Sequence, residues 1–249
     1  SDLAAMGARP AWCTLSLSMP EAQAGFVDGF LDGFLALAAQ YDVALVGGDT
    51  TRGPLSLTFT VIGCVPIGQA LTRSGAQAGD LLCVGGSLGD AAAALPLVLG
   101  QATAAPEIAQ ALLARYWTPQ PQLALGLALR GKATAALDIS DGLLADCTHL
   151  ATASGVAVHI ELPLLPIAKA ALALLGEARA QHCALAGGDD YRLLFSLPVD
   201  QLQSLQGQWP EVKVIGHVLQ GSGVQVFDAS GQRLHLSVGG YQHFGSAHG

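Results

Sequence analysis

Charge is scarce in this 249-residue sequence, and positive charge is the scarcer kind. Charged residues make up 12% of the chain, and 11 Lys and Arg stand against 19 Asp and Glu, for a net charge of −8. A nucleic-acid surface needs a basic stripe, and none is visible, so we expect no nucleic-acid partner. A protein this poor in cations would have to hold phosphates with backbone N–H groups and carboxylate-bound metal ions. The positions of the Asp residues are therefore the main question.

Signals of export, membrane insertion and zinc binding are also missing. The sequence has no run of about 18 uncharged apolar residues and no recognisable signal peptide, so we expect a cytoplasmic protein without a membrane segment. The five cysteines are scattered in apolar contexts, with no C-x-x-C pair, which predicts buried, reduced thiols. The histidines form no H-x-x-x-H or H-x-x-E-H pair, so a zinc site has little support.

Two stretches partly match enzyme motifs, the P-loop and the serine-hydrolase elbow, but each lacks an essential feature. Residues 126–134 have the G-x-x-x-x-G-K spacing of a P-loop, but Ala133 replaces the Ser or Thr, and a helix precedes the predicted strand. Residues 85–89 resemble a serine-hydrolase elbow only loosely, without a partner His or Asp that can be placed. We reject the P-loop and find no support for a hydrolase.

Hydrophobic residues make up 51% of the chain, which is enough for a substantial core. Strand and helix patterns mix without a strict βαβα rhythm. We therefore predict an α/β protein of the α+β type, with two domains that each pack a mixed or antiparallel sheet against helices. A polar connection divides these domains into residues 1–70 and 71–249. Because the chain starts inside a helical pattern and without Met, we also expect an N-terminal truncation.

Three local predictions concern the first domain. Residues 18–21 fit a capping box, so a helix should begin there and run to about residue 40. Glycines recur every four residues in that helix, which predicts close packing on a sheet; they are Gly25, Gly29 and Gly33. A short buried strand over 43–46 should end at Gly47-Gly48-Asp49, which alone would more often be a turn.

The stretch Asp138-Ile139-Ser140-Asp141-Gly142 places two carboxylates and a hydroxyl where a strand pattern changes to a helix pattern. In an extended segment Asp138 and Ser140 point to the same face, because strand side chains alternate. Asp141 falls at the helix entry, where a carboxylate can cap free N–H groups. Two interpretations remain open: a helix cap with a solvated Asp, or a site for metal ions and phosphate oxygens.

Two further stretches, 45–59 and 185–197, share an order of apolar segment, Gly-Gly-Asp, polar residue and strand. Paired glycines let the backbone approach a ligand closely, and the adjacent Asp is a natural metal or amine contact. Together with the Asp-x-Ser-Asp stretch, the two repeats favour a shared anionic pocket.

Four motifs come in the order and spacing of bacterial thiamine-monophosphate kinases, and the whole chain resembles that family. They are residues 47–54, 71–75, 138–143 and 187–191. Residues 1–8 and the closing 240–244 are similar to the family as well. Asp-x-Ser-Asp-Gly alone is shared with aminoimidazole ribonucleotide synthetase and selenophosphate synthetase, whereas the full set is much more specific.

The resemblance implies phosphorylation of thiamine monophosphate to thiamine diphosphate by direct in-line transfer from ATP, with Mg²⁺, in a homodimer whose first domains pair into a shared barrel. Such an enzyme needs no general base, because the acceptor is itself a phosphate, ionised above its second pKa of about 6. The implied metal ligands are Asp2, Asp49, Asp138 and Asp141. The implied ATP contacts are Gly48, Asp49, Arg73 and Ser140, and the implied substrate contact is Asp189.

The sequence departs from the family in several places. The N-terminal segment with Gly-x-Gly-Asp-Asp and Ser-Thr-Asp-Thr motifs is absent, so we expect an incomplete site. Asp189 stands where the family usually has Glu, Arg192 replaces a commonly acidic residue, and Val238 replaces an aromatic of some members. Two alternatives to the kinase are a related ATP-dependent synthetase, and a truncated nucleotide- or metal-binding module without turnover.

Overall fold

The structure is a computed structural model, which describes residues 1–234. These residues form two compact units. Ala8–Gly68 is the smaller unit, and Ser1–Gly7 together with the residues from Gln69 onward is the larger. Each unit combines a mixed sheet with helices, so the predicted fold class is confirmed. The functional division into residues 1–70 and 71–249 stays a prediction.

The helices are α1 Asp2–Ala5, α2 Ala24–Gln40, α3 Asp90–Val98, α4 Pro106–Trp117, α5 Leu123–Leu129, α6 Leu143–Ser154, α7 Lys169–Leu175, α8 Glu177–Ala186 and α9 Leu202–Gln208. The strands are β1 Arg9–Met19, β2 Ala44–Arg52, β3 Ser56–Cys64, β4 Leu81–Val84, β5 Ala135–Asp138, β6 Ala157–Glu161, β7 Leu193–Leu197, β8 Lys213–Leu219, β9 Gly223–Phe227 and β10 Arg233–Leu234.

The smaller unit is built around β1, which pairs in parallel with β2 and antiparallel with β3. The alternation of β1 places Leu15, Leu17 and Met19 on one buried face. Val27 and Phe30 of α2 pack against these side chains. One helix lying on one face of a three-stranded sheet therefore accounts for this core.

Three predictions for this unit are wrong. Ser18 does not start a helix, because β1 continues to Met19 opposite Arg52, and α2 begins only at Ala24. The helix glycines do not pack closely, since a Cβ added at any of the three would meet nothing within 4 Å. The Gly-Gly-Asp run is not a turn either, because β2 runs through it to Arg52 and pairs with β1 along its length.

The larger unit has a seven-stranded sheet in the order β10-β9-β6-β8-β4-β7-β5. Among the described strand pairs of this sheet, only β6 and β9 are parallel, and the others are antiparallel. Neighbouring residues of β4 enter different cores: Leu82 packs with α6 and α8, whereas Leu81 packs with α1, α5 and α9. Because adjacent strand side chains point to opposite faces, both faces of this sheet are covered. Helix α5 precedes β5, which confirms the inverted context that excluded a P-loop.

All five cysteines are free. Cys13, Cys83 and Cys147 are buried and Cys183 is partly buried, but Cys64 is exposed at the end of β3, so the prediction of buried thiols fails there. Among residues 1–234, no helix is long and apolar enough to cross a membrane. The family-like residues 240–244 and Val238 lie outside the described residues.

Candidate active site

The centre of the candidate site is the end of strand β5, at the edge of the large sheet. Asp138 is the last residue of this strand and lies opposite Leu193 of β7. Three backbone hydrogen bonds then join residues 139–140 to residues 189–192: Ile139 N to Arg192 O and Tyr191 N to Ile139 O, both 2.8 Å, and Asp189 N to Ser140 O, 3.0 Å. Two motifs that are about fifty residues apart in sequence therefore form one joined pair of loops.

Gly188, in the second Gly-Gly-Asp stretch, lies so close to the loop at Ser140 that only glycine fits there. A Cβ added to Gly188 would lie 2.5 Å from the carbonyl oxygen of Ser140, so any side chain there would force the loops apart. Asp189 and Tyr191 have φ of 66° and 50°, the left-handed region that non-glycine residues rarely adopt. Such strain persists only where surrounding contacts fix the backbone, and it is common at functional sites.

Tyr191 lies among the acidic groups of the site, and sequence reasoning missed it. Its hydroxyl donates a 2.9 Å hydrogen bond to Oδ1 of Asp189. Burial raises the pKa of Tyr191 to about 12, assisted by that hydrogen bond and by the negative charges of Asp189, Asp138 and Asp141. Its place directly after the Gly-Gly-Asp-Asp run, within the motif of residues 187–191, was the available signal.

An open cavity of about 320 Å³ adjoins the end of β5. Asp2 of α1, Arg73 and Asp138 all line it. The Arg73 segment reaches this position because the backbone of Thr72 extends the free edge of β5, accepting a 2.8 Å hydrogen bond from Ala136 N. Three residues singled out in the sequence thus share one cavity within the larger unit.

Asp141 does not cap helix α6, so that interpretation is wrong. The helix begins at Leu143, and Gly142 occupies the capping position without a side-chain hydrogen bond. Instead Asp146, inside the first turn, accepts hydrogen bonds of 3.1 Å on Oδ2 from the N–H groups of Ser140 and Asp141. The loop is therefore held from within the helix.

Asp146 also adds to the concentration of acidic groups. Burial raises its pKa to about 6, and the negative charge of Asp141 adds to the shift, whereas the two backbone N–H groups oppose it. One ligand atom each of Asp141, Asp146 and His149 lies within 4.8 Å of the others, a spacing that could hold a metal ion. A divalent cation close to these carboxylates would favour their ionised forms.

Asp190 connects the same loop to another helix. Its carboxylate accepts hydrogen bonds from Gly89 N at 2.6 Å and from Ala91 N at 3.5 Å, at the start of α3. Burial raises the pKa of Asp190 to about 7, and the negative charge of Asp90 contributes. Arg192, which is partly buried, lines a small cavity together with both aspartates.

Gly48 and Asp49 belong to strand β2 of the smaller unit. Gly48 has a φ of 153°, and a Cβ there would overlap the backbone of Leu15, so close strand pairing requires the glycine. Asp49 is exposed, and its Oδ1 accepts a 2.8 Å hydrogen bond from Thr50 N. The metal and ATP roles of these two residues stay predictions, as do the roles assigned in the larger unit.

Comparisons with known proteins give the family. Models described as AIR synthase related protein match the chain, the N-terminal domain over residues 1–65 and the C-terminal domain over residues 77–229. The thiamine-monophosphate kinase of Escherichia coli K12 is 40% identical over 249 residues, which cover 98% of this chain and 77% of that protein. The chain belongs to the thiamine-monophosphate kinase family. The resemblance found in the sequence motifs is thereby confirmed.

Two more relatives define how far the similarity extends. The thiamine-monophosphate kinase of Salmonella typhimurium is 44% identical over 199 residues, which cover 80% of this chain and 61% of that protein. The chain thus spans between about three fifths and about four fifths of the curated relatives it matches. A solved structure titled "AaThiL complexed with AMPPCP and TMP" superimposes with a TM-score of 0.84 at 31% identity, covering 97% of this chain and 76% of that one.

Proposed function

We propose that this protein transfers the γ-phosphoryl group of ATP to thiamine monophosphate, giving thiamine diphosphate and ADP. The observation that carries the proposal is the cavity lined together by Asp2, Arg73 and Asp138. It lies in a chain whose relatives are named for this reaction, one of them solved with AMPPCP and TMP. Acidic groups with one arginine suit a reaction between two anionic phosphates.

In this proposal, an oxygen of the substrate phosphate forms a bond to the γ-phosphorus of ATP while the bond to the β,γ-bridging oxygen breaks. The acceptor is already ionised near neutral pH, because the second pKa of a phosphate ester is about 6, so no residue has to remove a proton. The protein's contribution is to align the two groups and neutralise charge. Arg73 would contact the phosphates of ATP, and the Ser140 segment would position them.

We further propose that Asp2, Asp138 and Asp141 of the larger unit bind Mg²⁺, while the metal role of Asp49, in the smaller unit, stays a prediction. Carboxylate oxygens are the ligands that Mg²⁺ prefers, and Asp2 and Asp138 line one cavity. When bound, the ion supplies positive charge to the phosphate oxygens. On the substrate side, Asp189 would contact thiamine monophosphate, with its carboxylate oriented by the Tyr191 hydroxyl.

We also propose a cytoplasmic homodimer. The sheet of the smaller unit exposes the cross-strand apolar pair Trp12 and Ile62, at 47% and 41%. Clusters of exposed apolar residues of this kind are typical of protein–protein interfaces. Sedimentation velocity tests this: a dimer supports the proposal, and a monomer at micromolar concentration contradicts it.

The central test is turnover by the full-length protein and by its Asp138→Asn variant. The full-length wild type with ATP, thiamine monophosphate and Mg²⁺ should form thiamine diphosphate, measured by chromatography. Asp138→Asn should lower kcat/KM about 100-fold or more, because an electrostatic group at the reacting phosphates is lost. Chelation of Mg²⁺ with EDTA should abolish turnover of the wild type.

Asp200→Asn is the matched control, because Asp200 is exposed and is not one of the residues that line the cavity. It should keep wild-type turnover, and circular dichroism should show both variants folded. A folded wild type that binds ATP with Mg²⁺ but forms no thiamine diphosphate would contradict the proposal and favour a binding module. Turnover that Asp138→Asn leaves unchanged would contradict the assigned site.

A further inference from the structure

Helix α6 is hydrogen-bonded at each of its ends to a different loop of the candidate site: residues 140–141 at one end and residues 73–76 at the other. Near its N-terminus, Asp146 accepts the N–H groups of Ser140 and Asp141. At its C-terminus, the Ser154 hydroxyl donates a 3.1 Å hydrogen bond to the carbonyl oxygen of Arg73 and accepts one of 3.2 Å from Ala76 N. These last two contacts join residues about eighty positions apart.

The helix is well suited to fix the distance between the two loops. Its twelve residues span about 18 Å at 1.5 Å per residue. One face is buried in the main core of the larger unit; its members are Leu143, Leu144, Cys147, Leu150 and Ala151. A helix held this firmly keeps its ends in place, so a loop bonded to either end is positioned with it.

The Arg73 segment has anchors on both sides of the arginine. Before it, the carbonyl oxygen of Thr72 accepts a hydrogen bond from Ala136 N of the edge strand β5. After it, Ala76 is buried and bonded to Ser154 through its N–H. Between these points Arg73, Ser74 and Gly75 are exposed, and Ser154 is the side chain from another element that holds the backbone of Arg73 itself.

We propose that Ser154 is a positioning residue for nucleotide binding: its hydroxyl fixes the Arg73 backbone against helix α6, so that the guanidinium is presented to the cavity also lined by Asp138. The ligand's identity as ATP rests on the proposed function. Ser154 lies outside the residues that line the cavity, so it acts through Arg73 rather than on a ligand. A preorganised arginine binds phosphate more tightly because less conformational freedom is lost on binding.

The test compares Ser154→Ala, which removes the hydroxyl, with Ser154→Thr, which keeps it. Thr152→Ala is the matched control, since Thr152 is an exposed hydroxyl residue in the same helical turn. The first measurement is amide hydrogen exchange of Ala76, and the second is the Kd for ATP with Mg²⁺ by calorimetry. In Ser154→Ala, the amide hydrogen of Ala76 should exchange about fivefold faster, and the Kd for ATP should rise about fivefold. This is the size of effect expected for one neutral hydrogen bond.

Ser154→Thr and Thr152→Ala should match the wild type in both measurements. Unchanged exchange at Ala76 in Ser154→Ala would overturn the proposal, since the loop would then be held by other contacts. Faster exchange with an unchanged Kd would overturn it too, because Ser154 would be structural only. A wild type that binds no ATP would defeat the proposed function and the nucleotide role of Ser154, while the exchange result would still show whether Ser154 holds the loop.

Discussion

The two Gly-Gly-Asp stretches are alike in sequence and different in structure. Gly47-Gly48-Asp49 lies inside strand β2, paired in parallel with β1, whereas Gly187-Gly188-Asp189 follows helix α8 as a loop. In both, the second glycine lies directly against the backbone of another segment: Gly48 against Leu15, and Gly188 against Ser140. The motif therefore encodes a close backbone approach that ends in an exposed carboxylate, and not one particular conformation.

The largest expected effects come from filling these close approaches. Gly48→Ala and Gly188→Ala should each destabilise the protein by about 3 kcal/mol or more, because a Cβ would push against backbone that cannot move aside as a side chain can. Gly188→Ala should also lower turnover by separating residues 139–140 from 189–192. Denaturant unfolding and steady-state kinetics measure both effects.

Gly29→Ala is the control for this pair. Gly29 lies in the interior of helix α2 with nothing within 4 Å of an added Cβ, so alanine there should stabilise the protein by about 0.5–1 kcal/mol. If Gly188→Ala were as mild as Gly29→Ala, the close approach at Ser140 would not matter, and the shared meaning of the two motifs would be lost.

Much of the secondary structure could be predicted from the sequence, because period-two and helical patterns are local. The strands around Leu15 and Phe59, the seven-stranded unit's mixed elements and the strand-to-helix change after Asp138 all follow from such patterns. The capping-box prediction failed because Ser18 is also compatible with a strand, and pairing with β2 and β3 decides between the two. Propensity is overridden where long-range pairing extends an element.

The site was predicted in part for the same reason. Asp138, Arg73 and Asp2 carry recognisable motifs, but their shared cavity depends on a long-range backbone hydrogen bond between Ala136 and Thr72. Ser154 carries no motif at all, since a serine at the end of a helix is common. Residues that act through a tertiary hydrogen bond leave little trace in a single sequence.

The next largest expected effect is on the pH dependence of stability, and it comes from the residue that follows the Asp in each Gly-Gly-Asp stretch. Thr50 follows Asp49, but the partly buried Asp190 follows Asp189 and holds the start of α3. Its folded pKa of about 7 lies above the ordinary 3.8, so the folded state binds the proton more tightly and wild-type stability falls as pH rises through that range. Relative to the wild type, Asp190→Asn should gain on the order of 2 kcal/mol between about pH 4 and about pH 8.

Asp228→Asn provides a control of opposite sign for that experiment. Hydrogen bonds from the Ser230 hydroxyl and from backbone N–H groups hold the pKa of Asp228 below its ordinary value. Its carboxylate therefore stabilises the fold at neutral pH and loses that contribution in acid. Urea unfolding should show Asp190→Asn gaining stability on the wild type between about pH 4 and about pH 8. Asp228→Asn should lose stability relative to the wild type only as pH rises up to about 4, and the difference should stay constant above it. A constant difference between Asp190→Asn and the wild type across about pH 4 to 8 would contradict the buried anchor.

The smallest expected effect concerns what holds each exposed carboxylate. Asp49 is bonded by the N–H of the next residue, whereas Asp189 is bonded by the Tyr191 hydroxyl, which a substitution can remove. Tyr191→Phe should raise KM for thiamine monophosphate about fivefold with little change in KM for ATP, because one hydrogen bond orienting Asp189 is lost. Tyr116→Phe, on helix α4, is the control and should leave both constants unchanged. An equal rise in both KM values would indicate a general distortion of the joined loops, and an unchanged KM would remove Tyr191 from the substrate side. The first outcome would also weaken the distinction between the stretches, since Asp189 would then serve the backbone joint rather than a ligand.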